Sequence, residues 1–329
     1  MNSRPSEFSL IKKYFAPLAS KGAFEFRDDA AEIIPNKGMS LVITQDAIAE
    51  GVHFFPNDPP ALIAKKALRV NLSDLAAKGA NPKFFSLALG LGKSWNEEWV
   101  AEFAKGLEED CKTYELELTG GDTFSTGGGF VISVTAIGEV PNDQYVSRLN
   151  AKAGDTLFAT GYIGDAALGL LAHQKKLAML SDNDNAYLLG RYLVPQPRVK
   201  AAELIRKFAT ASMDISDGLI GDLEKLCSAS NVSAELSVEK IPLSRATQNA
   251  ISLESDLLET ALTGGDDYEI LFAVAEENLA EFDSLIKTFE VDFTRIGTIT
   301  SEQGVKVFDR DGQVIDFEKT SYDHSGENS

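Results

Sequence analysis

The chain has 329 residues, 44% of them apolar, and a formal net charge of -19. That length allows two domains with sizeable cores, and so acidic a surface repels nucleic acid and anionic membranes. Two cysteines (Cys111, Cys227) and three histidines (His53, His173, His324) exclude a disulfide framework and a zinc cluster, while no apolar run approaches the roughly 18–20 residues of a membrane helix and the first residues carry no secretory pattern, so a cytoplasmic chain is expected.

In chain order, residues 7–20 read as a short amphipathic helix and Met39 to Thr44 as a strand. Asp58-Pro59-Pro60 opens a helix, with Asp as cap and Pro in the first turn, and Gly79 stops it. Phe84 to Leu91 is a strand, Asn96 to Lys112 a helix, Glu115 to Leu118 a short strand and Phe130 to Val140 an alternating, β-branched strand. The polar, aperiodic segment Pro141 to Lys152 marks a domain boundary. Beyond it, Thr156 to Thr160 is a strand, and T-G-Y-I-G-D leads into a helix ending at His173. Helices follow near 184–193 and 198–209, then a strand at Ser212 to Ile215, a helix at Gly218 to Ser228, a strand at Tyr268 to Val274, a helix over 276–288 and a strand-rich remainder. Strands alternating with helices give an α/β (α+β) chain of two domains, residues 1–145 and 146–329.

Six segments share an acidic design: R-D-D-A-A at 27–31, T-Q-D at 44–46, N-L-S-D at 71–74, G-G-D-T at 120–123, M-D-I-S-D-G-L at 213–219 and G-G-D-D-Y-E at 264–269. Carboxylates at strand ends beside glycines suit Mg²⁺, which takes one or two carboxylates together with waters and substrate phosphates. Paired glycines let a backbone approach phosphate closely. Each segment has a plainer reading. Asp28-Asp29 fits a solvated turn, Asp217 a helix cap, and G-G-D-T a hairpin turn. Asn71 and Asp74, three apart, share a helix face that is either an exposed polar stripe or a functional surface. His53 and His324 are candidates for ligand contact.

Familiar phosphate motifs are missing. L-A-L-G-L-G-K-S at 87–94 ends like a P-loop, but Leu87 stands where its first glycine belongs, so the segment reads as a strand with its exit turn. No G-x-G-x-x-G, G-x-S-x-G or H-E-x-x-H pattern offers an alternative.

Taken together, these segments resemble the thiamine-monophosphate kinase family, part of the ATP-binding superfamily shared with aminoimidazole ribonucleotide synthetase and selenophosphate synthetase. The resemblance runs from E-F-S-L-I at 7–11 through E-G-V-H-F at 50–54, K-A-L-R-V-N-L-S-D-L-A-A-K-G-A-N-P at 66–82, G-G-D-T, R-L-N-A-K-A-G-D at 148–155, T-G-Y-I-G-D at 160–165, M-D-I-S-D-G-L at 213–219 and G-G-D-D-Y-E-I-L-F at 264–272 to Y-D-H at 322–324.

The resemblance implies a synthetase-like ATP-binding fold without a P-loop, ATP as co-substrate, thiamine monophosphate as acceptor and several Mg²⁺ ions. It assigns Asp29, Thr44, Gln45, Asp46, Asp74, Asp122, Asp214 and Asp217 to metal. It assigns Gly121, Asp122, Arg148 and Ser216 to ATP, and His53, Glu269 and Tyr322 to thiamine monophosphate. It also implies a homodimer formed through the N-terminal sheets, with the C-terminal domain completing the active-site cleft. Arg27 and Gln45 depart from the family's usual Gly and Thr or Ser, leaving the carboxylates in place while altering local backbone. A phosphate monoester acceptor has a second pKa of about 6, so it is ionised at neutral pH and needs no general base. That fits a sequence rich in Asp and poor in bases. A synthetase of the same superfamily and a non-catalytic acidic metal- or nucleotide-binding protein are the competing readings, and no cysteine near the N-terminus serves selenide chemistry.

Overall fold

A computed structural model describes residues 4–302 and 304–321. The chain divides into two compact units, Met1–Leu75 with Ala80–Gln144, and Ala76–Gly79 with Tyr145–Ser329.

The first unit opens with α1 (Glu7–Leu10), capped by Ser6, whose hydroxyl accepts from the N–H of Ser9. The single helix expected over 7–20 breaks into this turn, a π-helical turn at Ile11–Phe15 and a 3₁₀ turn at Ala16–Leu18. Pro17 cannot donate, so regular α-helical bonding stops there. Then come β1 (Met39–Ala49), α2 (Pro60–Ala77), β2 (Asn81–Leu91), α3 (Glu97–Tyr114), β3 (Glu117–Ser125) and β4 (Val131–Pro141). Their sheet has the order β1-β4-β2-β3, antiparallel except for β2 and β3. Asn96 caps α3 by accepting from the N–H of Trp99, and Gly79, at φ +70°, follows α2 in the left-handed conformation glycine favours.

The β4 side chains alternate as their sequence requires. Ile132, Val134 and Ala136 are buried, and Ser133, Thr135 and Ile137 lie on the opposite face. On that face Ile43, Ile137 and Phe84 stand side by side across three strands, and Ile43 is 63% exposed. The helices α2 and α3 meet where Gly106 backs onto the backbone of Ala61, so closely that a Cβ there would lie 2.2 Å from its carbonyl oxygen. Nearby, Arg69 of α2 grips the buried Asp110 of α3 through two hydrogen bonds of 2.7 and 2.8 Å. This bidentate pair fixes the rotation of α2, and so the direction of its Asn71–Asp74 face.

The second unit contains β5 (Thr156–Thr160), α4 (Asp165–His173), α5 (Asp182–Leu193), α6 (Ala202–Phe208), β6 (Ala209–Ile215), α7 (Leu219–Ser230), β7 (Ser233–Ser237), α8 (Arg245–Leu253), α9 (Leu257–Thr263), β8 (Glu269–Val274), α10 (Leu279–Ile286), β9 (Phe293–Thr300) and β10 (Val305–Phe308). Its six-stranded sheet has the order β10-β7-β9-β5-β8-β6, with only β10 and β7 parallel. Leu157 and Ala159 join one core with Leu223 and Leu226 of α7, while Phe158 joins another with Phe208 of α6 and Phe282 of α10. The sheet is therefore covered on both faces, and β8 is buried along its whole length. Among the described residues no helix is long and apolar enough to cross a membrane.

Candidate active site

In the first unit, β1 and α2 build an acidic surface together. Thr44 Oγ1 donates to Asp74 Oδ2 at 2.5 Å, and the Asp46 N–H donates to Asn71 Oδ1 at 3.0 Å. The Asn71–Asp74 face thus lies against β1 and is not an exposed stripe: Asn71 is fully buried and Asp74 half-buried. Thr44 and Asp46, two apart on a strand, share one side of the sheet. Gln45 lies on the other side, where its Nε2 donates to Ser133 Oγ at 3.1 Å.

At the end of β1 the E-G-V-H-F segment forms a tight turn. Lys66, buried within α2, donates to the His53 carbonyl at 2.9 Å. The Ala49 N–H donates to His53 Nδ1 at 3.1 Å. A backbone N–H only donates, so Nδ1 accepts and a neutral ring carries its proton on Nε2.

G-G-D-T is no hairpin turn. It continues β3, with Gly120, Gly121 and Asp122 opposite Ser86, Leu87 and Ala88 of β2. A Cβ at Gly121 would fall 1.9 Å from the Leu87 carbonyl oxygen, so only glycine fits the ladder there. Beside this strand lies a cavity of about 480 Å³ that brings Gly121 and Asp122 together with Asp29, between apolar walls that include Phe15 and Phe26.

Among the described residues, no basic side chain pairs with Asp29, Asp74 or Asp122. Nor do any three His, Cys, Asp or Glu side chains converge into a preformed metal cage. Carboxylates without a protein cation, on a loop (Asp29), a helix (Asp74) and a strand (Asp122), fit Mg²⁺, which completes its shell with water and phosphate.

In the second unit, Asp214 is the last residue but one of β6 and is buried, with Ser216 and Asp217 half-buried in the turn that follows. Asp217 does not cap α7: Gly218 stands at the cap position with φ +109° and packs against the Thr263 backbone. Instead Asp222, inside the first turn of α7, reaches back and accepts from the N–H groups of Ser216 and Asp217, both at 2.9 Å. Burial pushes the Asp222 carboxyl upward, opposed by Lys225 and by the Asp217 N–H. Arg148 is exposed near the start of the unit.

The G-G-D-D-Y-E loop runs behind that turn. The Asp266 N–H donates to the Ser216 carbonyl at 2.9 Å, and a Cβ at Gly265 would meet the same oxygen at 2.3 Å. Asp267 is buried and accepts from the N–H groups of Gly164 and Ala166, at 2.7 and 3.1 Å, at the start of α4. Desolvation drives its carboxyl well above the usual range. Glu269 is 0% exposed, and its oxygens accept from Thr160 Oγ1 at 2.6 Å, Arg191 Nη2 at 2.9 Å and Arg198 Nε at 2.6 Å. Tyr322 and His324 lie outside the described residues. Burial pushes the thiols of Cys111 and Cys227 up to about 12, so neither is a thiolate nucleophile at neutral pH.

Residues 27–140 match the AIR synthase related protein N-terminal domain, and residues 152–310 the corresponding C-terminal domain. The thiamine-monophosphate kinase of Salmonella typhimurium is 38% identical over 322 residues, 97% of this chain and 98% of that protein. The chain belongs to the thiamine-monophosphate kinase family. The crystal structure of thiamine-monophosphate kinase from Stenotrophomonas maltophilia matches with a TM-score of 0.79 and 38% identity, covering 88% of this chain and 90% of that one. AaThiL complexed with AMPPCP and TMP matches with a TM-score of 0.76 and 31% identity over 98% of this chain and 100% of that one.

The described segments that carry the thiamine-monophosphate kinase resemblance fall on α1, the turn after β1, α2 and the start of β2, β3, the loop before β5, the turn from β5 into α4, the end of β6 and the loop into β8. Sequence reasoning missed Arg191, Arg198, Asp222 and Lys225, which sit in helices or loops without a chemical motif and acquire partners only on folding.

The P-loop-like segment is structural. Leu87 to Leu91 lie in β2, and the exposed Lys93 uses its N–H to close a turn on the Gly128 carbonyl at 2.9 Å. Lys93→Ala is expected to leave ATP affinity within a few-fold of the parent. Equilibrium binding checks this, and a loss of about 100-fold, or 2.7 kcal/mol, would relocate the nucleotide.

Proposed function

We propose that this chain moves the γ-phosphate of ATP directly, by in-line transfer, onto thiamine monophosphate, giving thiamine diphosphate and ADP. The observation that carries the reading is the near full-length likeness to kinases of this name, one of them AaThiL complexed with AMPPCP, an ATP analogue, and TMP. Cys-based chemistry of a related synthetase finds no support in two thiols held protonated by burial.

The first unit supplies Asp29, Thr44, Asp46, Asp74 and Asp122 to the metal, with Gln45 contributing its backbone, and Gly121 and Asp122 to the nucleotide. The second supplies Asp214 and Asp217 to the metal, and Arg148 and Ser216 to ATP. Bound Mg²⁺ would neutralise the facing phosphates. The protein's own part is positioning. Asp222 fixes the Ser216–Asp217 backbone, Lys66 fixes the His53 turn, and the Nε2–H of His53 donates to an acceptor phosphate oxygen. Glu269 serves thiamine monophosphate with Tyr322, and it acts through the arginines it orients, because its own oxygens are already taken. The open sheet face around Ile43, Ile137 and Phe84 is the surface through which two copies pair. The two reduced cysteines suit a cytoplasmic setting.

The reading is tested by coupled ADP release from purified protein with ATP, Mg²⁺ and thiamine monophosphate. Turnover with stoichiometric thiamine diphosphate is expected. Nucleotide and metal binding without ADP release would make the chain a binding protein.

A further inference from the structure

We propose that Lys225 is the internal counter-cation of Asp217, holding that carboxylate until a divalent ion displaces it, and that Asp222 is the anchor that makes the exchange reversible. The inference rests on the kinase reading in one respect, that Asp217 is a cation ligand.

Asp217, Asp222 and Lys225 form a closed ring. Asp222 is 0% exposed, and its Oδ2 accepts from the N–H groups of Ser216 and Asp217, both at 2.9 Å. Its Oδ1 accepts from Lys225 Nζ at 2.8 Å. The same ammonium reaches Asp217 Oδ2 at 2.5 Å. Asp222 and Lys225 are three apart on α7, so the helix holds them side by side. Asp217 lies on the turn that Asp222 clamps, so its backbone and its side chain are set by the same pair.

The two arms of the ammonium differ in what they protect. Asp222 is buried and requires a positive partner, because a bare buried carboxylate is costly. Asp217 is 30% exposed at its side chain and Lys225 40%, so their contact faces water and is easily exchanged. A divalent ion arriving at Asp217 can take over its oxygen while Lys225 keeps its bond to Asp222. The buried charge of Asp222 is left unpaired at no stage. Without the ion, Lys225 prevents repulsion between two neighbouring carboxylates and keeps Asp217 in place. Lys225 therefore raises the ion concentration needed for loading, in return for a site that is organised before the ion arrives.

The probe is Mn²⁺, titrated into the full chain at a fixed concentration of AMPPCP, with free Mn²⁺ read by electron paramagnetic resonance. Lys225→Met is expected to tighten Mn²⁺ binding by about 5-fold, the equivalent of one exposed ion pair. Lys225→Arg should bind Mn²⁺ as the parent does. Lys225→Gln keeps a donor for both carboxylates without the charge, so it should also bind more tightly even if the methionine variant folds poorly. Asp217→Asn should weaken binding. Unchanged or weaker Mn²⁺ binding in both neutral variants, with Asp217→Asn still weakened, overturns the role of Lys225 and leaves the kinase reading standing. Mn²⁺ binding unaffected by Asp217→Asn removes the ligand assignment on which the inference rests.

Discussion

Asp74→Asn is expected to lower kcat by about 10²–10³-fold or more, the range seen when one preorganised electrostatic group is removed from a catalytic site, while the protein stays folded. Asp74 sits on the α2 face that Arg69 and Asp110 orient, and among the described residues its side chain takes one hydrogen bond, from Thr44 Oγ1 at 2.5 Å. An asparagine oxygen can still accept that bond, without the charge that strengthens it, and the neighbouring Asn71–Asp46 contact is untouched. Shape and local bonding therefore survive, and the substitution removes only charge. A half-buried carboxylate with no protein cation beside it is a poor structural element, because its desolvation is not offset. It is intelligible as one waiting for a cation. Steady-state kinetics at saturating Mg²⁺, paired with thermal melting, check this. Near-parental kcat would make Asp74 structural and dissolve the proposed cation surface of the first unit.

What the sequence revealed, and what it hid, follows from the range of the interactions. Strands such as Phe130 to Val140 were legible because β-branched residues alternate with polar ones, and Asn96 and Gly79 marked helix ends by local chemistry. G-G-D-T was ambiguous because paired glycines signal turns as readily as close backbone approach. Only the Leu87 carbonyl, from another strand, decides between them. Helix α8 escaped notice because its buried side is Ala246, Thr247 and Ala250, too small and too polar to give an apolar period. The carboxylate network of the second unit was invisible for a different reason. Glu269 meets Arg198 across 71 residues and Thr160 across 109, and no local pattern encodes such pairs. Reading Asp217 as a helix cap failed for the same reason in miniature. The residue that organises that turn, Asp222, comes after it, inside the helix.

Thiamine monophosphate is expected to exceed free thiamine as acceptor by at least about 10³-fold in kcat/KM, because thiamine requires both general-base catalysis and a charge it lacks. A hydroxyl must lose its proton during attack, whereas a phosphate monoester, with a second pKa of about 6, is already a nucleophilic anion at neutral pH. The structure sharpens this for the most obvious candidate base. His53 Nδ1 is occupied by the Ala49 N–H, which places the proton of the neutral ring on Nε2. A ring held in that tautomer donates to a phosphate oxygen and cannot take a proton at the same nitrogen. The turn is held from outside as well, by Lys66 on the His53 carbonyl, so exchanging the two ring nitrogens would mean breaking the Ala49 contact. Free thiamine also lacks the phosphate whose charge the cations of the proposed carboxylate site would neutralise. Each acceptor is supplied separately with ATP and Mg²⁺, and products are identified by chromatography. Comparable conversion of free thiamine would reveal a working base and show that His53 is not locked as a donor. A His53→Gln variant separates the two roles, since glutamine keeps a donor and offers no base. Retention of most activity toward thiamine monophosphate is the expected result, and loss of both activities together would mean that the imidazole is needed for something other than donating one hydrogen bond.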